Sequence, residues 1–491
     1  MDEYIIGIDI GTSICKIALF NLQGKRISQS LNRVYWRADG NRFEINPGEW
    51  WNLVKSGIKH CIENSKGITK QIKGIGVSGT NALIAVDKFG QPISNAILQI
   101  DQRGIQQLNR INSQVLSSID QITGNRIDSG MFFAPKILWM KNYQKEKYDK
   151  TYKFLVPTAY INYKLTGEFT MDYTRASTSM LFNIREKVWS QEILDYLGIP
   201  LEKLPTLFEP SQIIGEVNLF AAKETSLREG TPIIAGCMDT VAAAVGLGIY
   251  QEKMPCAILG TFGKLGFCSK ENNFDHNLMN SPFIEKDLYF SQAVISGIGS
   301  SLNWYSDNFL SGDSIFKQAI KSKLGSNGLF FIPHILGEKS PSWHQDAKGL
   351  FYGITLNSTK SDFARSILEG IAYIFRINIE YIEKKFFKID EIILGGGGAN
   401  ISWIQILADI TGKNINLPHS TETETIGAAI LTGKGLNIFK NIGHYCKKFN
   451  PILKTIYPNE NNAKKYKCLY KNFKHLEQLS INKKTINNHL I

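Results

Sequence analysis

The sequence predicts an α/β protein built from two large domains, and three observations carry that reading. Its 491 residues exceed what one ordinary hydrophobic core serves, so the chain divides. Apolar, β-branched strand patterns alternate with helical ones from Tyr4 through Ile233. A Gly-Thr hairpin pattern occurs at Gly11-Thr12 and again at Gly260-Thr261, one opening each half. That repeat points to a duplicated unit with a phosphate clamped between the copies, with a chance repeat of so short a pattern as the alternative.

In order along the chain, Tyr4–Ile10 reads as a buried strand, Gly11-Thr12-Ser13 as a turn, and Lys16–Phe20 as the strand running back. A tight Gly-Thr turn aims backbone N–H groups at phosphate oxygens, and an ordinary hairpin turn is the alternative. Residues 47–66 form a helix opened by Pro47. Gly74–Gly79 and Ala82–Val86 are strands, with Thr80 and Asn81 between them. Ile97–Arg103 reads as a strand ending in an acid, Asp101, and a base, Arg103, and Ala134–Trp139 begins another helix.

The stretch around which the chain is organised is 233–248. A buried strand (Ile233, Ile234) runs into Gly236, and a helix of small residues starts after Asp239. An acid there is either an N-cap or a reactive carboxylate beside unpaired N–H groups. The hairpin at Cys256–Cys268 follows. Gly297-Ile-Gly299 opens a helix, and Ser361–Lys384 is a long one. Ile392–Leu394 empties into Gly395-Gly396-Gly397-Gly398-Ala399-Asn400 before the helix 403–411. Four glycines between strand and helix let a flat ligand lie against bare backbone, with a plain flexible loop as the alternative. Glu422–Leu431 is a last capped helix.

Composition narrows the class. The chain is 43% apolar and 20% charged, with no apolar run of about 20 residues, so no membrane span is expected. The first residues enter a strand directly and lack the regions of a leader, and the seven scattered cysteines form no CxxC pair. A cytoplasmic protein without a zinc site is expected. Of the net charge of +12, residues 440–491 supply +9, from eleven lysines and two glutamates. No nucleic-acid motif accompanies them, so nucleic acid is not an expected partner and the tail reads as a solvated, lysine-rich segment. His334 and His344 read as packed or surface residues.

Taken together, Gly7-Ile-Asp9-Ile-Gly11-Thr12-Ser13, Gly236-Cys-Met-Asp239, Gly260-Thr261-Phe-Gly263, Gly337–Gly353 and Gly395–Asn400 resemble the FGGY carbohydrate kinases. The resemblance spans about 4–475, and Trp50-Trp51, Ile97–Arg103 and Ala134–Trp139 are most similar to the xylulokinase branch. It implies the two-domain actin/hexokinase/Hsp70-like (ribonuclease H-like) fold, with ATP and sugar in the cleft between the domains. The implied division is 1–247 for the sugar-binding domain, 248–440 for the nucleotide-binding domain, and 441–491 for the terminal segment, in which Tyr457–Phe473 is similar to the family's terminal packing helix.

The implied activity is transfer of the γ-phosphoryl of MgATP to a hydroxyl of a small sugar or polyol, and the implied partners are that sugar and ATP, with a homodimer allowed. Asp239 would be the general base. Asp9 would orient Mg²⁺ through waters, which suits an ion that keeps part of its hydration shell. Gly11, Thr12, Ser13 and Lys16 match the first phosphate hairpin; Gly260 and Thr261 match the second. Gly299, Gly396, Gly397 and Asn400 fall where the family holds adenosine. Lys16 as a solvated strand residue and Asn400 as a plain helix cap are the alternatives.

Thr80, Asn81, Asp101 and Arg103 are candidates for the sugar, with a salt-bridged strand end as the alternative for the last two. Xylulokinases carry Gln-Met-His-Gly after the strand matching Ile75–Ser78, whereas this chain has Ser78-Gly79-Thr80-Asn81-Ala82. A pentulose such as xylulose is the implied acceptor, and gluconate, ribulose or a related compound the alternative. A non-catalytic sugar or nucleotide sensor is the rival on the same fold.

Overall fold

Two seven-stranded mixed sheets, one from each half of the chain, frame the protein. The structure, a computed structural model, describes residues 2–65, 68–260, 262–397 and 400–481. In the first sheet Tyr4–Ile10 (β1) runs antiparallel to Ile14–Asn21 (β2), which pairs with Arg26–Arg33 (β3). All seven residues of β1 are buried, as an unbroken apolar strand covered on both faces must be. Helix Pro47–Glu63 (α1) packs on β2 and β3. Asn46 caps it by accepting from Gly48 N, and Pro47 occupies the first turn, where a missing N–H costs nothing.

Ile72–Gly79 (β4) lies parallel to β1, with Asp9 opposite Ser78. Phe133–Tyr143 (α2) is among the helices between β4 and the last strands of this sheet. Ile213–Glu216 (β5) and Pro232–Ile234 (β6) complete the order β5-β6-β4-β1-β2-β3, and Cys237–Met238 (β7) pairs with Ser78 and Gly79 at the end of β4. Helix Asp239–Gly246 (α3) follows directly.

The second sheet repeats the plan. Cys256–Leu259 (β8) and Gly263–Ser269 (β9) form the hairpin, Met279–Pro282 (β10) and Tyr289–Ile295 (β11) extend it, and Ile298–Phe309 (α4) and Lys360–Lys385 (α5) follow. Glu391–Gly395 (β12) returns parallel to β8 as β4 does to β1. After Ile401–Thr411 (α6) come Asn414–Pro418 (β13), Glu424–Gly435 (α7), Ile452–Ile456 (β14) and Glu460–Ile481 (α8), giving the order β10-β11-β9-β8-β12-β13-β14.

Helices α3 and α7 cross between the sheets, and α7, encoded late in the chain, lies on β1 and β4 of the first sheet. Small residues permit the crossing: a Cβ on Gly427 would stand 1.9 Å from the Ala242 carbonyl oxygen. A shared core forms there from Ile5 and Phe20, Val241 and Val245, and Ile426 and Ile430. Each such fully buried side chain contributes about 1.5–3 kcal/mol.

The structure departs from the sequence reading in three places, and in one of them the helix expected to be capped over Glu422–Leu431 begins at Glu424 with no side-chain cap hydrogen bond. The strand expected over Ile97–Arg103 covers only Ala96–Leu98, because Asp101 and Arg103 satisfy each other in the turn beyond it. The lysine-rich tail is not simply solvated. Strand β14 pairs with β13, and Tyr466, Tyr470 and Phe473 on one face of α8 are buried in the second core. Lys464, Lys465, Lys467, Lys471 and Lys474 project from its other faces and are exposed.

Candidate active site

The carboxyl ends of the parallel strands β1, β4 and β7 meet at one point, where open α/β sheets bind ligands. β1 brings Asp9, β4 brings Ser78 and β7 delivers Asp239 as the first residue of α3. The Ser78 hydroxyl donates to Asp9 Oδ1 at 3.0 Å. Beyond β4, Thr80 N donates to the Ile10 carbonyl at 2.8 Å. The side chains of Thr80 and Asn81 are buried and make no hydrogen bond among the described residues.

Asp239 is partly accessible, with its side chain 39% exposed. Its Oδ1 accepts from Thr240 N at 2.7 Å and from Thr240 Oγ1 at 3.2 Å, and Arg175 Nη2 stands 3.7 Å away. Lys264 donates to Thr240 Oγ1 from the other side. Burial pushes the Asp239 carboxyl up, but Lys264, Arg175 and the two Thr240 donors outweigh it and hold the group below the usual carboxylate range. Thr174 props the approach to this residue by accepting from Met238 N at 2.8 Å.

Asp9 has the opposite balance. Burial, then the carboxylate of Glu424, pushes it up to about 7; Asp239 adds to this, and Lys16 and the Ser78 hydroxyl oppose it. Lys16 Nζ lies 3.0 Å from Glu424 and 3.5 Å from Asp9. Glu424 comes from the start of α7, so the second half of the chain supplies an acid to the first hairpin. In that hairpin Gly11 N donates to the Ile14 carbonyl at 3.0 Å, with Ser13 exposed and Thr12 half-buried at its tip.

A second cluster gathers the glycines. Gly299 N, in the first turn of α4, donates to the Gly260 carbonyl at 3.2 Å. A Cβ on Gly396 would meet the Leu259 carbonyl oxygen at 2.2 Å, so this turn rests directly on the end of β8. Gly397 faces open space. Asn400 caps α6, its Oδ1 accepting from Ser402 N at 3.0 Å, which is the plain-cap arrangement. Thr261, Gly398 and Ala399 lie outside the described residues.

Asp101 and Arg103 stand apart as a self-contained pair. Both oxygens of Asp101 are engaged, by Phe43 N and by Arg103 N, Nε and Nη2, and Arg103 also meets Glu44 and stacks over Trp139. The salt-bridged alternative is the arrangement found. Lys136, whose side chain is fully buried, donates to the carbonyls of Leu98, Gln99 and Met131 and so fixes the same turn. His334 is buried and His344 exposed, and among the described residues no cluster of His, Cys, Asp and Glu forms a metal cage.

Sequence reasoning missed Ser78, Arg175, Lys264 and Glu424. Lys264 had a signal, since it follows the second hairpin's glycines as Lys16 follows the first. Arg175, in a buried turn at 173–176, had none.

The comparisons with known proteins agree with this fold. The N-terminal domain of the FGGY family of carbohydrate kinases matches residues 4–246, and its C-terminal domain matches residues 256–436. The chain is similar to a xylulose kinase of Staphylococcus epidermidis, 31% identical over 99% of each chain, and to one of Bacillus subtilis, 29% identical over 96% of each. In fold it is similar to the ligand-bound xylulose kinase of Lactobacillus acidophilus, with a TM-score of 0.89 at 24% identity over 97% of this chain and 98% of that one. The Plasmodium falciparum glycerol kinase with ADP gives 0.86 at 21% identity, over 97% and 98%. No described helix is long and apolar enough to cross a membrane. The chain is a sugar kinase and belongs to the FGGY family of carbohydrate kinases.

Proposed function

We propose that the chain transfers the γ-phosphoryl of MgATP to a hydroxyl of a small sugar, with a pentulose such as xylulose as the favoured acceptor and Asp239 as the base. The observation that carries this is the Asp239 carboxylate, partly exposed yet held ionised by Lys264 and Arg175. An alcohol loses its proton late in phosphoryl transfer, so an ionised carboxylate within reach of it suffices. The hydrogen bonds from Thr240 fix where that carboxylate points.

Thr80 and Asn81, buried beside the ends of β1 and β4 with unused side-chain polar groups, are the groups proposed to bind sugar hydroxyls. The Asp101–Arg103 pair, already engaged with itself, Phe43 and Glu44, has little capacity left. Gly260, Gly299, Gly396 and Gly397 are proposed to receive the nucleotide, with the first hairpin, Gly11–Ser13, facing its phosphates.

The residues present fit Mg²⁺. Burial first, and then the carboxylates of Glu424 and Asp239, raise the Asp9 carboxyl, and a divalent ion would relieve the part that comes from the neighbouring acids. With no cage of three direct protein ligands among the described residues, binding through waters to Asp9 is the mode the donor set favours. When bound, the ion would neutralise charge on the phosphates.

Free, unpaired cysteines are consistent with a reducing, cytoplasmic setting. The test is ADP release with MgATP across ketoses, aldoses, polyols and aldonates, with Asp239→Ala beside it. Stimulation by one sugar and silence of the variant is the expected result. Binding of ATP or sugar without turnover for any acceptor would instead favour the sensor reading.

A further inference from the structure

The two glycine hairpins each carry a lysine on the returning strand, and the two lysines keep different company. Lys16 faces two acids, Glu424 at 3.0 Å and Asp9 at 3.5 Å, so its charge is already matched where it stands. Lys264 is half-buried and, among the described residues, makes one hydrogen bond, to the neutral Thr240 Oγ1, and no ion pair. Two of its three N–H donors are unused. With Arg175 it makes two cations near one acid, Asp239, whereas Lys16 stands between two acids, Asp9 and Glu424.

Its position adds to the contrast. Lys264 follows Gly263 at the end of the second hairpin and reaches across to the residue after Asp239. On the function proposed above, which this inference rests on, the hairpin holds the nucleotide phosphates and Asp239 holds the acceptor hydroxyl. The ammonium therefore bridges the two places between which the phosphoryl group travels. In that transfer, negative charge spreads over three equatorial oxygens, and a fixed cation there acts where charge develops.

We propose that Lys264 is a catalytic residue that binds an oxygen of the transferring phosphoryl group through its unused N–H donors. The acceptor oxygen forms its bond to phosphorus as the bond from phosphorus to the β–γ bridging oxygen breaks. ADP leaves with that electron pair, and the acceptor's proton goes to Asp239. Lys264 stays protonated throughout and gives up no proton.

A purely positioning role, in which Lys264 only keeps Asp239 ionised, makes a different prediction. Loss of the lysine would then raise the Asp239 carboxyl, and higher pH would restore activity. The groups that face Asp239 in this balance are Arg175, Lys264, Thr240 and Asp9.

The experiment compares Lys264→Met and Lys264→Gln with the unaltered protein, the glutamine keeping a hydrogen-bonding group for Thr240 without the charge. Two readouts are taken: sugar-dependent ADP formation from pH 6 to 9, and binding of MgADP with and without aluminium fluoride, a mimic of the flat phosphoryl group. In both variants kcat should fall by roughly 10²–10³ at every pH. Affinity for the fluoride complex should fall by a similar factor, while MgADP alone stays within about twofold, which also reports intact folding.

The proposal is overturned if either folded variant keeps its kcat, if raising the pH restores it, or if MgADP and the fluoride complex weaken equally. Should the unaltered protein release no ADP with any sugar, the kinase function itself fails. That outcome is distinct from an active protein indifferent to the loss of Lys264.

Discussion

Gly427 of α7 sits directly against the carbonyl of Ala242 of α3, so closely that a single methyl group between them would overlap the oxygen. This contact sets the distance between the two half-sites, because α3 carries Asp239 at its start and α7 carries Glu424 at its own. Gly427→Ala should force the helices apart and cost about 1–3 kcal/mol of stability. A thermal melt measures the cost, and turnover should fall further than the lost folded fraction explains, since the two acids separate.

Among the described residues, Ser78 gives Asp9 its one side-chain donor besides Lys16. That hydrogen bond favours the charged carboxylate, so Ser78→Ala should raise the Asp9 carboxyl above its value of about 7. If MgATP binds the ionised form, affinity falls as the pH drops through that value, and the variant loses it at higher pH than the parent. Calorimetric titration at pH 6.5 and 8.5 checks this; roughly tenfold weaker binding is expected at the lower pH and near-parity at the higher.

Thr80 and Asn81 should act on the sugar and leave the nucleotide alone. Thr80→Val and Asn81→Ala are expected to raise KM for the sugar roughly tenfold or more, as the loss of one or two hydrogen bonds would. The affinity for ATP should not change. A parallel loss of ATP binding would make the two residues structural.

Lys136 gives the chain a pH-dependent stability of definite sign. Burial brings its ammonium down from 10.5 to about 7, with Asp101 raising it and Arg103 lowering it further. Between those two values the unfolded chain holds a proton that the folded chain does not, so stability rises with pH across that window. Below pH 7 both states are protonated and the penalty is constant. Lys136→Met should remove this dependence. Urea unfolding at pH 7 and 9.5 should show the parent gaining on the order of 2–3 kcal/mol relative to the variant.

Much of this was legible in the sequence because it is local. The strands β1, β4 and β8, the two hairpins, Pro47 at the start of α1 and the glycine turn at 395–397 are each written in a run of neighbouring residues. Asp9 and Asp239 stood out because glycine turns flank them. What escaped the sequence is what distant segments do to these residues. Glu424 reaches Lys16 across 408 positions, and no pattern around either residue records it. Arg175 has no local signature at all. The tail misled for a related reason: its net charge is a sum over all faces, while packing depends on the one face that carries Tyr466, Tyr470 and Phe473.

The placement of α7 on β1 and β4 has a consequence for how the molecule is made. During translation the first sheet leaves the ribosome with one side bare, and Ile5 and Phe20 wait for Ile426 and Ile430, which are synthesised near the end. The amino-terminal half therefore passes through a long interval as an unfinished surface, a natural client for chaperones. An expression clone stopped at residue 247 should yield inclusion bodies, and the same clone should become soluble when a segment containing 424–435 is supplied in trans.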